Sequence, residues 1–110
     1  MNENANIIRL TDINFQDEVL QCKQLVLVIF ETDWFGGAYI LAPVVEYLAE
    51  KYNGRLKVGK FKIDENELIP EKFGVSDTIA ILLFKNGELQ YQIFGMVDRD
   101  TLEEQVVNLL

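Results

Sequence analysis

Histidine is absent from this 110-residue chain. That absence removes His-based triads, the commonest general acid/base near neutral pH and most transition-metal sites. Cysteine occurs once, at Cys22, so the chain can form no internal disulfide and run no two-thiol reaction by itself. Positive charge is scarce: 10 Lys and Arg against 18 Asp and Glu give a formal net charge of −8. Phosphate backbones and anionic membranes are repelled by that balance, so neither nucleic acid nor membrane is an expected partner. No apolar run approaches the roughly 18 residues of a membrane span. Met1-Asn2-Glu3-Asn4 carries no basic and apolar leader pattern, and a cytoplasmic location is expected. The length suits one domain, 1–110, with residues 1–5 as a polar tail.

What is present alternates. Asn6 to Leu10 is a short strand candidate, and Thr11 or Asp12 can cap a helix running to about Gln21 with Phe15, Val19 and Leu20 inward. Leu25 to Phe30 is continuously apolar and β-branched, which suits a central strand covered on both faces. Apolar residues at 41, 44, 45, 48, 49 and 52 follow a helical period, with Pro43 predicting a kink and Asn53-Gly54 a stop. Leu56 to Ile63 reads as a third strand and Asn66 to Phe73 as a short helix limited by Pro70. Ala80 to Phe84 and Glu88 to Phe94 flank Asn86-Gly87, a strong hairpin signal. Asp98 is placed to cap a last helix with Leu102, Val106, Leu109 and Leu110 inward. The order β-α-β-α-β-α-β-β-α implies a three-layer α/β/α sandwich.

Trp34-Phe35-Gly36-Gly37-Ala38-Tyr39 lies between the central strand and the long helix. Dithiol oxidoreductases carry Trp-Cys-Gly-Pro-Cys-Lys at such a turn. Further matches run in order: Pro43, Lys60 to Asn66, Phe73-Gly74-Val75, Leu82 to Gly87, and Gly95. From about Thr11 onward the chain resembles a thioredoxin. The resemblance implies a thioredoxin-like fold with a central mixed sheet of four or five strands flanked by four helices.

The departures fall on the chemistry. By that resemblance Phe35 and Ala38 replace the two cysteines, Gly37 the proline between them, and Tyr39 a basic residue. Ile29 replaces a buried aspartate, Glu31 a second tryptophan, and Ile79 a cis-proline. A phenyl ring offers no nucleophile for disulfide exchange. A cis bond before a non-proline costs about 2.5–4 kcal/mol, so Thr78–Ile79 is expected to be trans.

No catalytic residue, metal or cofactor is therefore expected. The candidate site is an apolar binding groove of Trp34, Phe35, Gly36, Gly37, Thr78, Ile79, Gly95 and Met96. In it Trp34, Phe35, Ile79 and Met96 would form one exposed patch for a protein or peptide partner, or for self-association. Against this stands a plainer reading, in which the rings are tucked against the body. Gly36-Gly37 could hold an anion at a helix N-terminus, but the net charge favours a permissive turn. Lys60, without an aspartate at 29, is expected to reach solvent or pair with Glu31. Cys22 is expected to be inert, a lone reactive thiol being the weaker reading. Asp64, Glu65 and Glu67 fit no cation-loop spacing and read as solvated carboxylates. The chain could also be a disabled copy of a working thiol-disulfide oxidoreductase.

Overall fold

The computed structural model describes residues 6–33, 37–66, 68–76 and 78–110. Its elements are β1 (Ile7–Leu10), a π-helical segment (Gln16–Leu20), β2 (Leu25–Glu31), α1 (Gly37–Lys51), β3 (Leu56–Lys62), α2 (Leu68–Lys72), β4 (Ala80–Lys85), β5 (Glu88–Phe94) and α3 (Arg99–Leu109). The five strands form one sheet in the order β1-β3-β2-β4-β5. β3 runs parallel to both β1 and β2, while β4 is antiparallel to β2 and β5. This is the expected thioredoxin-like α/β sandwich with a mixed sheet.

The middle position of β2 follows from its composition. Every residue from Leu25 to Phe30 is buried, so no face of the strand is left for solvent. Strand alternation then splits the core. Leu25, Leu27 and Ile29 join a cluster with Leu41, Val45 and Leu48 of α1 and with Leu102 and Val106 of α3. Val26, Val28 and Phe30 join a second cluster on the opposite face, with Phe15, Val19, Phe61 and Phe84.

Phe15 organises that second face. Its ring centroid lies 6.4 Å from Phe30, 6.0 Å from Phe61, 5.7 Å from Phe73 and 5.8 Å from Phe84. Edge-on and tilted pairs of this kind add to the burial of each ring. The helix expected from Thr11 to Gln21 takes a wider form. Its turns close Gln21 N–H onto the Gln16 carbonyl at 2.9 Å, a five-residue step. Thr11 is the cap, its Oγ1 accepting from Ile13 and Asn14 N–H, both at 3.2 Å. Asp12 serves another helix altogether. Its carboxylate accepts from Leu68 and Ile69 N–H at 3.1 and 2.9 Å, which caps the start of α2.

The Asn86-Gly87 hairpin forms as expected, both residues having positive φ, 54° and 77°. A side chain at Gly87 would also overlap the Leu20 carbonyl oxygen, so glycine is required there twice over. Asp98 caps α3, its Oδ2 accepting from Thr101 N–H at 3.1 Å. Glu103 fastens α3 to the end of α1, accepting from Lys51 Nζ and Tyr52 OH, both at 2.6 Å.

Truncating Phe15 to Ala should remove ring contacts from three strands and the loop after α2, costing about 3–5 kcal/mol. Chemical denaturation reads this directly; a loss below 1 kcal/mol would mean the second core face does not depend on that ring.

Candidate functional site

The residues that resemblance brings together lie at the ends of three segments: the exit of β2, the approach to β4 and the exit of β5. Trp34, Phe35 and Gly36 lie outside the described residues, as do Glu67, Asp77 and residues 1–5. The backbone on both flanks of the turn is described. Before it, Glu31 ends β2 and Thr32 is buried. After it, Gly37 is the first residue of α1.

Asp64 holds the leading flank in place. Its Oδ1 accepts from Thr32 Oγ1 and its Oδ2 from Asp33 N–H, both at 2.6 Å. The bond from Asp33 N–H, then that from the Thr32 hydroxyl, keeps the Asp64 carboxyl below its ordinary value of 3.8, and Lys62 adds a smaller attraction. Lys62 Nζ also pairs with Asp33 Oδ1 at 3.0 Å. Asp64 was expected to be a plain solvated carboxylate. It is exposed, yet it is the anchor of the chain entering the turn. The same side chain lines a shallow cleft of about 490 Å³ floored by Ile63, Pro70 and Val75.

The other two segments meet as expected. Gly95 N–H donates to the Ile79 carbonyl at 2.7 Å, which joins the loop before β4 to the exit of β5. Gly95 adopts φ +90°, a region that favours glycine. Thr78 is half-buried and Met96 is 43% exposed. No peptide bond among the described residues is cis, in line with isoleucine at position 79.

Ile79 corrects the expected patch. It is 0% exposed and belongs to the cluster beneath α1 and α3, not to the surface. Its alternation with Ile81 and Leu83 on the same face was the available signal. Lys60 is half-buried and makes no ion pair with Glu31 among the described residues, which leaves the other expected arrangement, a reach toward solvent. Its register partners are Arg9 and Ile29. Cys22 is half-buried against the second core cluster.

Two residues outside the expected groove are the most exposed large side chains beside it. Tyr39 is 87% and Ile40 65% exposed, both in the first turns of α1. The periodic pattern begins at Leu41 and so assigns neither to the core; their consecutive placement before it was the clue. Pro43 lies inside α1 and lacks the N–H that would bond the Tyr39 carbonyl, so the helix is without that bond.

Chemically, the described site offers apolar contact area and backbone polar groups, with carboxylates at its leading edge. Comparison with known proteins agrees with the geometry. The family model described as Thioredoxin matches residues 6–108. The chain is 36% identical over 97 residues to a protein named Thioredoxin from Pseudomonas aeruginosa, covering 88% of this chain and 90% of that one. It is 37% identical over 93 residues to Thioredoxin from Rickettsia felis, covering 84% and 89%. Against Thioredoxin from Thiocapsa roseopersicina the figures are 38% over 85 residues, 77% and 93%.

Two expectations follow. Asp64→Asn should loosen the Thr32-Asp33 approach. Because the Asp64 pKa is depressed on folding, its stabilisation is full above the ordinary value of 3.8 and is lost as pH falls through the lower folded value. Melting curves of wild type and variant should therefore converge in acid; a gap unchanged down to strong acid would remove this role from Asp64. Ile79→Ser should cost about 3–5 kcal/mol in denaturation, from a cavity plus a buried hydroxyl, where an exposed groove residue would cost almost nothing.

Proposed function

We propose a function from one premise: this chain belongs to the thioredoxin family and lacks both sulfurs of the family's dithiol. It is a redox-inactive thioredoxin-fold protein that keeps the scaffold and uses the surface at the former dithiol turn to bind a protein or peptide. The observation that carries this reading is the cysteine count. One thiol remains, and it sits at Cys22 after the π-helical segment, packed against the core. Exchange needs a thiolate at the turn to attack and a second thiol to release the mixed disulfide. Neither position has one: Phe35 and Ala38 stand there. Ile29, where the resemblance implies a proton-accepting aspartate, is buried hydrocarbon.

Binding is supported by what replaced the chemistry. Tyr39, Ile40 and Met96 are exposed apolar side chains, the first two following Trp34 and Phe35 closely in sequence and the third following Gly95 at the exit of β5. At about 25 cal/mol per Å², covering a few hundred Å² of such surface is a substantial driving force. The second reading is a disabled copy of an oxidoreductase. Against simple disablement, Phe35, Gly37, Ile29 and Ile79 depart together from the pattern, and Ile79 is well packed in its new role.

The chain should show no thiol-dependent reduction of insulin, with or without Cys22→Ser. Turnover that disappears with Cys22→Ser would overturn the reading. Peptides selected from a random library on the wild-type protein should bind about tenfold more weakly to Tyr39→Ser and Met96→Ser, a change of about 1.4 kcal/mol. Circular dichroism should stay unchanged. Selected peptides indifferent to both substitutions would place binding elsewhere.

A further inference from the structure

Asparagine is followed by glycine at two places in this chain, Asn53-Gly54 and Asn86-Gly87. Such a pair is open to attack on its own side-chain amide, because no side chain shields the next backbone nitrogen. The fold sets the two pairs in different surroundings.

Asn53-Gly54 lies in the turn between α1 and β3, where Asn53, Gly54 and Arg55 are all exposed. Among the described residues, neither the Asn53 carboxamide nor Gly54 N–H has a hydrogen-bond partner. No atom stands within 4 Å of the place a Gly54 side chain would take. Asn53 N–H reaches the Glu50 carbonyl only at 3.4 Å, the slack geometry of a fraying helix end. Asn14 and Asn66 are tied instead at both ends of the carboxamide. Asn14 accepts from Thr11 N–H and donates to the Arg9 carbonyl. Asn66 accepts from Asp12 N–H and donates to the Lys62 carbonyl.

Asn86-Gly87 is held by its backbone. It links Lys85 and Glu88, which are register partners in the β4–β5 hairpin. Asn86 is fixed at φ 54°, and Gly87 is pressed against the Leu20 carbonyl so closely that even a methyl group would overlap it. Turning the peptide plane there toward the Asn86 side chain must displace the hairpin from the end of the π-helical segment.

We propose that Asn53 is a site of spontaneous covalent modification, its carboxamide converted through a succinimide to aspartate and isoaspartate. The Gly54 nitrogen gives its proton to hydroxide and attacks Asn53 Cγ. The new N–C bond forms, the C–NH2 bond breaks, and ammonia leaves with a proton from water. Water then opens the ring on either side. Opening at Cγ leaves aspartate; opening at the former main-chain carbonyl leaves isoaspartate, with the main chain routed through the side-chain carbon. The net change is one water taken up and one ammonia released, with no oxidation or reduction.

The products strain the turn that forms them. Arg55 and Leu56 N–H both close on the Tyr52 carbonyl, at 2.9 and 2.8 Å, and Tyr52 OH bonds Glu103 of α3. Isoaspartate inserts an extra main-chain atom beside those closures. Either product also places a carboxylate at the negative end of α1. This turn precedes Leu56, at the opposite end of the β2–β3 register from Glu31 and Lys62, so the inference is independent of the proposed binding surface.

The test is to age the folded protein in mildly alkaline buffer and follow it by peptide mapping and by enzymatic methylation of isoaspartyl carboxylates. Conversion at position 53 should run about tenfold or more faster than at position 86, equivalent to ~1.4 kcal/mol of extra barrier in the hairpin. Asn53→Gln should remove most of the methylatable product, whereas Asn86→Gln should leave it. In the isoaspartyl form, separated by ion exchange, the Arg55 and Leu56 amides should exchange faster than in fresh protein. Equal conversion at the two positions would overturn the proposal. So would an intact Asn53 at a time when a synthetic peptide spanning Lys51 to Leu56 is fully converted.

Discussion

The burial of β2 on both faces is the constraint from which the architecture follows. A strand with hydrocarbon at every position from Leu25 to Phe30 must be flanked by strands on both edges and by helices above and below. β3 and β4 supply the edges; α1 with α3, and the π-helical segment with α2, supply the layers. Position 29 belongs to this constraint: Ile29 is buried in the core cluster beneath α1 and α3. An ionised carboxylate there would have to be held among Leu41, Val45 and Ile81, and isoleucine removes that cost.

The same logic applies at Ile79. A residue at the approach to β4 can either shape the surface or fill the space under α1 and α3, and alternation with Ile81 and Leu83 decides for the second. What remains at the surface is Asp33, held with the buried Thr32 by the Asp64 carboxylate, on one side and Met96 on the other. Asp64 does for this turn what a backbone amide pair does in a hairpin: it fixes the entering chain without a regular element.

The strands, the long helix, the Asn86-Gly87 turn and the Asp98 cap were legible because each is set by neighbours in sequence. Dihedral preference, period and a side chain within three residues are enough to specify them. The wider winding of the first helix was not legible, since it answers to where Phe15 must sit among four other rings. Nor were the partners of Asp12 and Asp64, which lie 56 and about 32 positions away, beyond the reach of any local rule. The exposed Tyr39-Ile40 pair straddles the end of the matched motif and the start of the periodic pattern, and neither signal assigned it to the surface. Ile79 was different: its strand parity gave the answer, and the loop's resemblance drew attention away from it.

Asp12 links two parts of the chain in a way that bears on how the molecule opens. α2 has only 5 residues, too few to persist unaided, and its leading amides are held by a carboxylate 56 positions upstream. The helix between β3 and β4 therefore depends on the docking of the segment that follows β1. In native-state hydrogen exchange, that segment and α2 should therefore open together, below the free energy of global unfolding. A short helix in the middle of the chain would then report, amide by amide, on whether the N-terminal border of the sheet is in place.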